Sequence, residues 1–301
     1  MIGIIEFITG LPAEAVPPAF SVSLWVLIIV AAAAFLAGLF TRNYSHVDRI
    51  WSLLPPVYAI IWGTAFFSEP LYLIPAVLVI LWGTRLTFNF ARRGGYNFDF
   101  KHGFTEEDYR WPILREKIPN RFLFELFNLF FIVGVQLGLI FLFTLPLFFV
   151  GMRAEAGAAA LTPAHVILAF LWLFCLIGEF IADNQQYNFQ ENKRKAGGLG
   201  FNTKGMWKYS RHPNYTFELL QWIILAVYAL ISGVAFIHAF LGAVILVVLF
   251  VGSTRMTENI TLSKYPEYKQ WQRITSPWIP GIKTLFLRSS RSDEELGLET
   301  E

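Results

Sequence analysis

Residues 214–252 read "NYTFELLQWIILAVYALISGVAFIHAFLGAVILVVLFVG". Two apolar runs, 214–232 and 234–252, meet at Ser232-Gly233. Each approaches the roughly 20 residues a helix needs to cross a hydrocarbon core about 30 Å thick. So short a joint leaves room only for a tight hairpin. The stretch therefore predicts two neighbouring, antiparallel membrane helices.

The rest of the chain repeats the pattern. Of 301 residues, 55% are hydrophobic and only 15% charged, with a mean hydropathy of +0.50. A soluble domain needs far more polar surface than that. Five further apolar runs fall near residues 20–41, 50–67, 71–91, 122–150 and 163–182. The expected fold is all-α, a polytopic bundle of seven transmembrane helices occupying residues 20–285 as one membrane domain. Residues 1–19 are read as an extramembrane N-terminus and 286–301 as a disordered acidic tail. The second run carries "LLPPVY", where a kink or a broken helix is expected. The fourth exceeds the bilayer and is expected to tilt or project. The lone cysteine, Cys175, excludes a disulfide within the chain.

Basic residues set the orientation, because loops rich in Lys and Arg stay cytoplasmic. Segments 42–49, 92–121, 183–213 and the tail from 254 hold 22 of the 24 Lys and Arg residues. With seven spans these segments share one side. The N-terminus is then outside or lumenal and the C-terminus cytoplasmic. Residues 1–19 contain neither Lys nor Arg, so no cleaved signal peptide is expected.

Polar residues gather at the same side. In "KYSRHPNYTFELLQW", Lys208–Trp222, Pro213 suits a first helical turn, so the sixth helix starts there. Asn214 and Glu218 share a face, with Gln221 one turn further on. A carboxylate just inside an apolar span is expensive unless it meets a partner or a ligand. Pairing with Arg211 or Lys208 is the alternative to a lined cavity. At the end of the fifth span, Glu179 and Asp183 are again four apart, followed by Lys193, Arg194, Lys195 and the glycine-rich "AGGLG". That basic run suits a phosphate through charge and open N–H groups, or equally the headgroups of anionic lipids. In "WGTRLTFNFARRGGYN", Arg85 and Asn89 share a face and are expected to look into a polar interior, while Arg92 and Arg93 suit interface anchors. After the last span, Arg255 and Glu258 lie at helical spacing in what reads as an amphipathic helix on the membrane surface. In "NYSHVDRIWSLLPPVY", Asp48 and Ser52 share a face. The five histidines show no ligand spacing, so no metal is expected. Dinucleotide, phosphate-loop and nucleophile-elbow motifs are absent from the sequence.

"KGMWKYSRHPNYTFELLQW", "VDRIWSLLPPVYA", "WGTRLTFNFARRGGY" and "SKYPEYKQWQR" resemble the steroid 5-alpha-reductase-like membrane proteins, in particular their DUF1295 branch, over about residues 42–282. In that family seven helices enclose NADPH near the cytoplasm, and a lipid enone arrives from the bilayer. The resemblance implies an NADPH-dependent oxidoreductase reducing a C=C bond conjugated to a carbonyl in a lipid or steroid-like substrate. It implies cofactor binding by Asp183, Asn214 and Glu218, with Arg85, Asn89, Arg93, Arg194, Tyr209, Arg211, His212 and Glu258 in the cofactor's surroundings. Leu53 and Trp82 stand where the steroid reductases hold the substrate carbonyl with a glutamate and a tyrosine. Asp48 and Tyr58 are the nearest groups to serve as the acid. "RHPNY" followed by a glutamate is also similar to the S-adenosylmethionine-binding stretch of isoprenylcysteine carboxyl methyltransferase, a likeness confined to the C-terminal third. A lipid-binding protein without chemistry is the third possibility. The bilayer and a membrane lipid are the expected partners, without nucleic acid or an obligate protein partner. The host membrane would be the endoplasmic reticulum in a eukaryote and the inner membrane in a bacterium.

Overall fold

A computed structural model describes residues 1–100, 103–196, 200–281 and 284–285. The acidic tail, Gly197 and Gly198 lie outside these described residues, and with them the expectations placed there. The described residues form two compact units, those of 1–169 with 225–243 and those of 170–224 with the ones from 244 on.

In chain order the helices are α1 (Ile2–Thr9), α2 (Pro18–Thr41), α3 (His46–Trp51), α4 (Leu54–Phe66) and α5 (Pro70–Arg92). A minimal hairpin follows, β1 (Phe98–Asp99) with β2 (Gly103–Phe104). Then come α6 (Arg110–Lys117), α7 (Arg121–Phe127) and α8 (Gln136–Glu155), the last two joined by a π-helical stretch over Asn128–Val135. The chain continues as α9 (Pro163–Ala196), α10 (Pro213–Ile231), α11 (Phe236–Lys264) and α12 (Tyr268–Ile274). Among the described residues, six helical stretches are long and apolar enough to cross a membrane: Pro18–Thr41, Pro70–Arg92, Arg121–Glu155, Pro163–Lys195, Pro213–Ile231 and Phe236–Lys264. Four of them begin on proline, whose missing N–H would find no helical acceptor in the first turn anyway.

The remaining apolar run, 50–67, is broken. Helix α3 ends at Trp51, and α4 restarts at Leu54 with Pro55 and Pro56 in its first turn. Helix α4 has 13 residues, so it is about 20 Å long, shorter than a hydrocarbon core.

Helix α4 is nonetheless the centre of the first unit, packed against α2, α5 and α8. Its buried stripe, Tyr58, Ala59, Trp62, Gly63 and Phe66, follows helical spacing. Tyr58 stacks on Trp62, and the edge of Phe141 meets both rings. Phe148 packs against Trp62, Phe66 and Phe20. Ring pairs of this kind contribute beyond the area they bury. Two glycines permit close approach: a Cβ on Gly83 would stand 2.3 Å from Pro56 Cγ, and one on Gly242 would stand 2.4 Å from the Leu142 backbone.

The joint is longer than the two residues the sequence predicts: residues 232–235 separate α10 from α11. Gly233 adopts φ +80°, and Val234 N–H reaches back to Ala229 O at 3.1 Å, a glycine-terminated helix end. His165 Nε2 lies 3.0 Å from Ser232 Oγ, and the Tyr228 hydroxyl donates to Leu71 O at 2.9 Å. These bonds fasten the joint to the start of α9 and of α5.

Candidate functional site

The second unit brings the acidic face of α9 onto the polar face of α10. Gly178 makes the approach possible: a Cβ there would sit 2.6 Å from the Phe217 ring. One residue on, Gln221 Nε2 donates to Glu179 Oε2 at 2.6 Å. Toward the end of the span, Asn214 Nδ2 points at Asp183 Oδ1 across 3.5 Å. Glu218, between them on α10, accepts from Trp222 Nε1 at 2.9 Å. Glu179, Asp183, Glu218 and Gln221 are all buried. Each amide gives its N–H to a carboxylate, and its oxygen is left over: Asn214 Oδ1 and Gln221 Oε1 are buried with no hydrogen-bond partner among the described residues. Buried polar atoms are nearly always satisfied in native proteins, by protein, water or ligand. This face therefore presents acceptors to whatever lies on it.

The chain entering α10 is held by a separate lock. Arg211 forms a two-pronged pair with Glu258 of α11, Nε to Oε1 at 2.6 Å and Nη2 to Oε2 at 3.1 Å. Its Nη1 donates to the carbonyls of Gln272 and Thr275. His212 Nε2 lies 3.0 Å from Glu258 Oε1, and Gln272 Nε2 donates to Oε2 at 2.8 Å. Backbone bonds from Arg211 and His212 to Ser276 and Pro277 complete the attachment. Arg255 and Glu258 do not sit on a separate surface helix: α11 runs unbroken to Lys264, and its extension carries the carboxylate that clamps "SRHP". Upstream, Trp207 Nε1 donates to Ala182 O and Met206 N–H to Gln185 Oε1, which ties the loop before the lock to α9.

Of the basic and aromatic residues expected near a cofactor in this unit, Arg194 is largely exposed and pairs with Glu191 at 2.8 Å. Tyr209 is 37% exposed. Lys193 is held by Gly200 O and the Tyr265 hydroxyl, 2.8 Å away.

In the first unit Arg85 and Asn89 are buried, as their shared face predicts, and Arg93 is exposed. Asn89 Oδ1 accepts from Arg92 Nη2 at 2.7 Å. Asp48 accepts from Trp111 Nε1 at 2.8 Å and, at 3.5 Å, from Arg110. Burial raises the Asp48 carboxyl above the usual carboxylate range, against the pull of Arg110. Ser52, expected beside it, pairs with Thr87 at 2.7 Å. The Tyr58 hydroxyl is fully buried and has no hydrogen-bond partner among the described residues.

Several partners escape a reading of the sequence. Trp222 and Gln272 reach their carboxylates at 2.9 and 2.8 Å, and only the i, i+4 spacing of Glu218 and Trp222 offered a signal. Arg49, read as one basic residue among many, is buried: it donates to Gly95 O at 2.9 Å, to Asn43 and to Glu106, and lies over the Phe104 ring. It holds α3, the β-hairpin and the following loop together.

Helices of this length and apolarity, carrying buried carboxylates, define a multi-pass helical membrane protein. More particularly, residues 34–275 match the model of the family described as protein of unknown function (DUF1295), and the chain belongs to that family. It is similar to an uncharacterized protein of Schizosaccharomyces pombe, C594.04c, at 30% identity over 87% of this chain and 80% of the yeast protein. No solved structure matches it.

Proposed function

We propose that this protein is an NADPH-dependent reductase of a carbon–carbon double bond conjugated to a carbonyl, acting on a membrane-soluble lipid. The observation that carries this reading is the buried acceptor face of α9 and α10, with the Asn214 oxygen left over beside Asp183. A nicotinamide dinucleotide presents donors that suit such a face, namely ribose hydroxyls and the carboxamide N–H2. Asp183, Asn214 and Glu218 would hold these donors. The Tyr209 ring and the outward guanidinium of Arg194 suit the base and the phosphates. When bound, the cofactor supplies the hydride. The residues of the lock, Arg211, His212 and Glu258, fix the backbone from which Asn214 and Glu218 project, which makes them positioning residues.

Hydride addition to the β-carbon leaves an enolate, which requires a proton donor. Asp48 is bonded to Trp111 and Arg110, whereas the Tyr58 O–H has its proton uncommitted, so we assign the donor's role to Tyr58. The fold is then steroid 5-alpha-reductase-like, with seven spans when the broken run 50–67 counts as one, the N-terminus outside or lumenal and the C-terminus cytoplasmic. The host membrane is then the endoplasmic reticulum or a bacterial inner membrane.

The test is ligand-dependent stability of purified protein. NADPH at a hundredfold excess over its dissociation constant should add about 2.7 kcal/mol, seen as a raised Tm. Glu218→Ala should remove that response with the helical signal retained. A rise with S-adenosylmethionine and none with NADPH replaces the reductase with a methyltransferase.

A further inference from the structure

The acceptor face does not stop at the residues assigned to the cofactor. Trp172, Glu179, Asp183 and Gln186 lie 7, 4 and 3 residues apart on α9, the spacing of a single helical stripe. The bonds from Glu179 to Gln221 and from Asp183 to Asn214 show that this stripe faces α10. Along it, four buried polar atoms have no hydrogen-bond partner among the described residues: Gln186 Oε1, Asn214 Oδ1, Gln221 Oε1 and Trp172 Nε1. Trp172 is 2% exposed and Gln221 0%. From Gln186, ten residues before the end of α9, to Trp172 in its first half, the stripe covers about 21 Å of helix.

Asn214 Oδ1 belongs with the cofactor's donors; the other three atoms, two acceptors and one donor spread over that length and interleaved with Glu179, suit no single compact ligand. They suit water. A buried water makes 2–4 hydrogen bonds, donating and accepting, to polar groups that would otherwise go without. Ionisable residues within membrane spans commonly line such proton paths.

We infer that the α9–α10 face is a hydrated proton path running from Gln186, past the cofactor residues Asp183 and Asn214, inward to Trp172, with Glu179 as its relay group. The inference rests on the reductase reading for the proton's use. Each turnover adds a hydride from the reduced cofactor and one proton from solvent across the double bond, and the path carries that proton into the span. Gln221 holds the Glu179 carboxylate toward the file, and the Trp172 indole N–H closes its inner end.

Hydroxyl-radical footprinting of the intact wild-type protein, with radicals made from bound water by brief X-ray exposure, tests hydration without reference to activity. Trp172 should oxidise several-fold faster than Trp62, which is fully buried with its N–H on Ser23 Oγ. Gln221→Leu should slow oxidation at Trp172. Equal rates at Trp172 and Trp62 overturn the path, whatever the enzyme's reaction. Proton delivery is tested by turnover in H2O and D2O. Gln221→Leu and, separately, Trp172→Phe should slow turnover roughly 10- to 100-fold, the low end of acid–base contributions, with an enlarged solvent isotope effect. Wild-type rate and isotope effect in both variants overturn delivery while leaving the cofactor response intact. Loss of the NADPH response in wild-type protein would instead strike the reductase reading, and the footprint still decides hydration.

Discussion

The two units use opposite materials at their centres. Around α4 the groups facing one another are rings, Tyr58, Trp62, Phe66, Phe141 and Phe148, while much of that unit's charge sits near helix ends in pairs such as Arg115 with Glu107 at 2.5 Å. Between α9 and α10 the facing groups are carboxylates and amides set into apolar helices. Burying such groups costs several kcal/mol each unless partners restore what water gave. A membrane helix needing only to pack would carry leucine there. The difference separates a region shaped by packing from one whose polarity packing does not explain.

The comparison predicts large, differently caused losses in the two regions. Trp62→Ala should lower stability by about 3–5 kcal/mol by opening a cavity among rings, read as the free energy of unfolding in mixed micelles. A loss below about 1 kcal/mol would mean that the aromatic centre is not close-packed. Glu258→Ala should cost a similar 3–5 kcal/mol by leaving Arg211 buried without its counter-charge. Glu258→Gln, which keeps some of the hydrogen bonds, should cost less. Equal losses in the Ala and Gln variants would show that charge does not hold the lock.

Tyr58 is where the aromatic region departs from its own rule. Its hydroxyl is buried and bonded to nothing described, so removing it should be neutral or stabilising by up to about 1 kcal/mol. If Tyr58 donates the proton, Tyr58→Phe should at the same time lower turnover about a hundredfold or more. Stability lost with turnover kept would make the hydroxyl a structural group.

Much of this arrangement is legible in the sequence because its cause is local. Pro18, Pro70, Pro163 and Pro213 mark helix starts, Ser232-Gly233 marks the joint, and the spacing of four in Glu179/Asp183 and Asn214/Glu218 puts each pair on one face. What is not legible depends on distant partners. The apolar run 50–67 looks like one span by hydropathy; "LLPPVY" announces a break there, but only the packing places it at Ser52-Leu53. Helices α9 and α11 run on to Ala196 and Lys264, past the expected ends near 182 and 252, because helical hydrogen bonds persist after the residues turn polar. Arg49 is indistinguishable by type from an interface anchor. Only the carbonyls of Gly95 and Glu106, more than forty residues away, make it a hub.

The smallest expected effect separates the rim of the first unit from its aromatic centre. His46 opens α3, with Nε2 3.1 Å from Thr41 Oγ1 and its ring edge-on to Phe104. Burial first and the Arg49 guanidinium second lower its pKa from 6.5 to about 4. The folded protein thus keeps this ring neutral over a range in which the unfolded chain protonates it. The unfolded state binds more protons between those values, so stability falls as pH drops from about 6.5 toward 4. Because the side chain is only half-buried, solvent screening limits the contribution to about 1 kcal/mol. His46→Gln should flatten that part of the profile, giving a smaller Tm loss between pH 7 and pH 5 than the wild type shows. An equal loss in both proteins would move the acid sensitivity away from this rim.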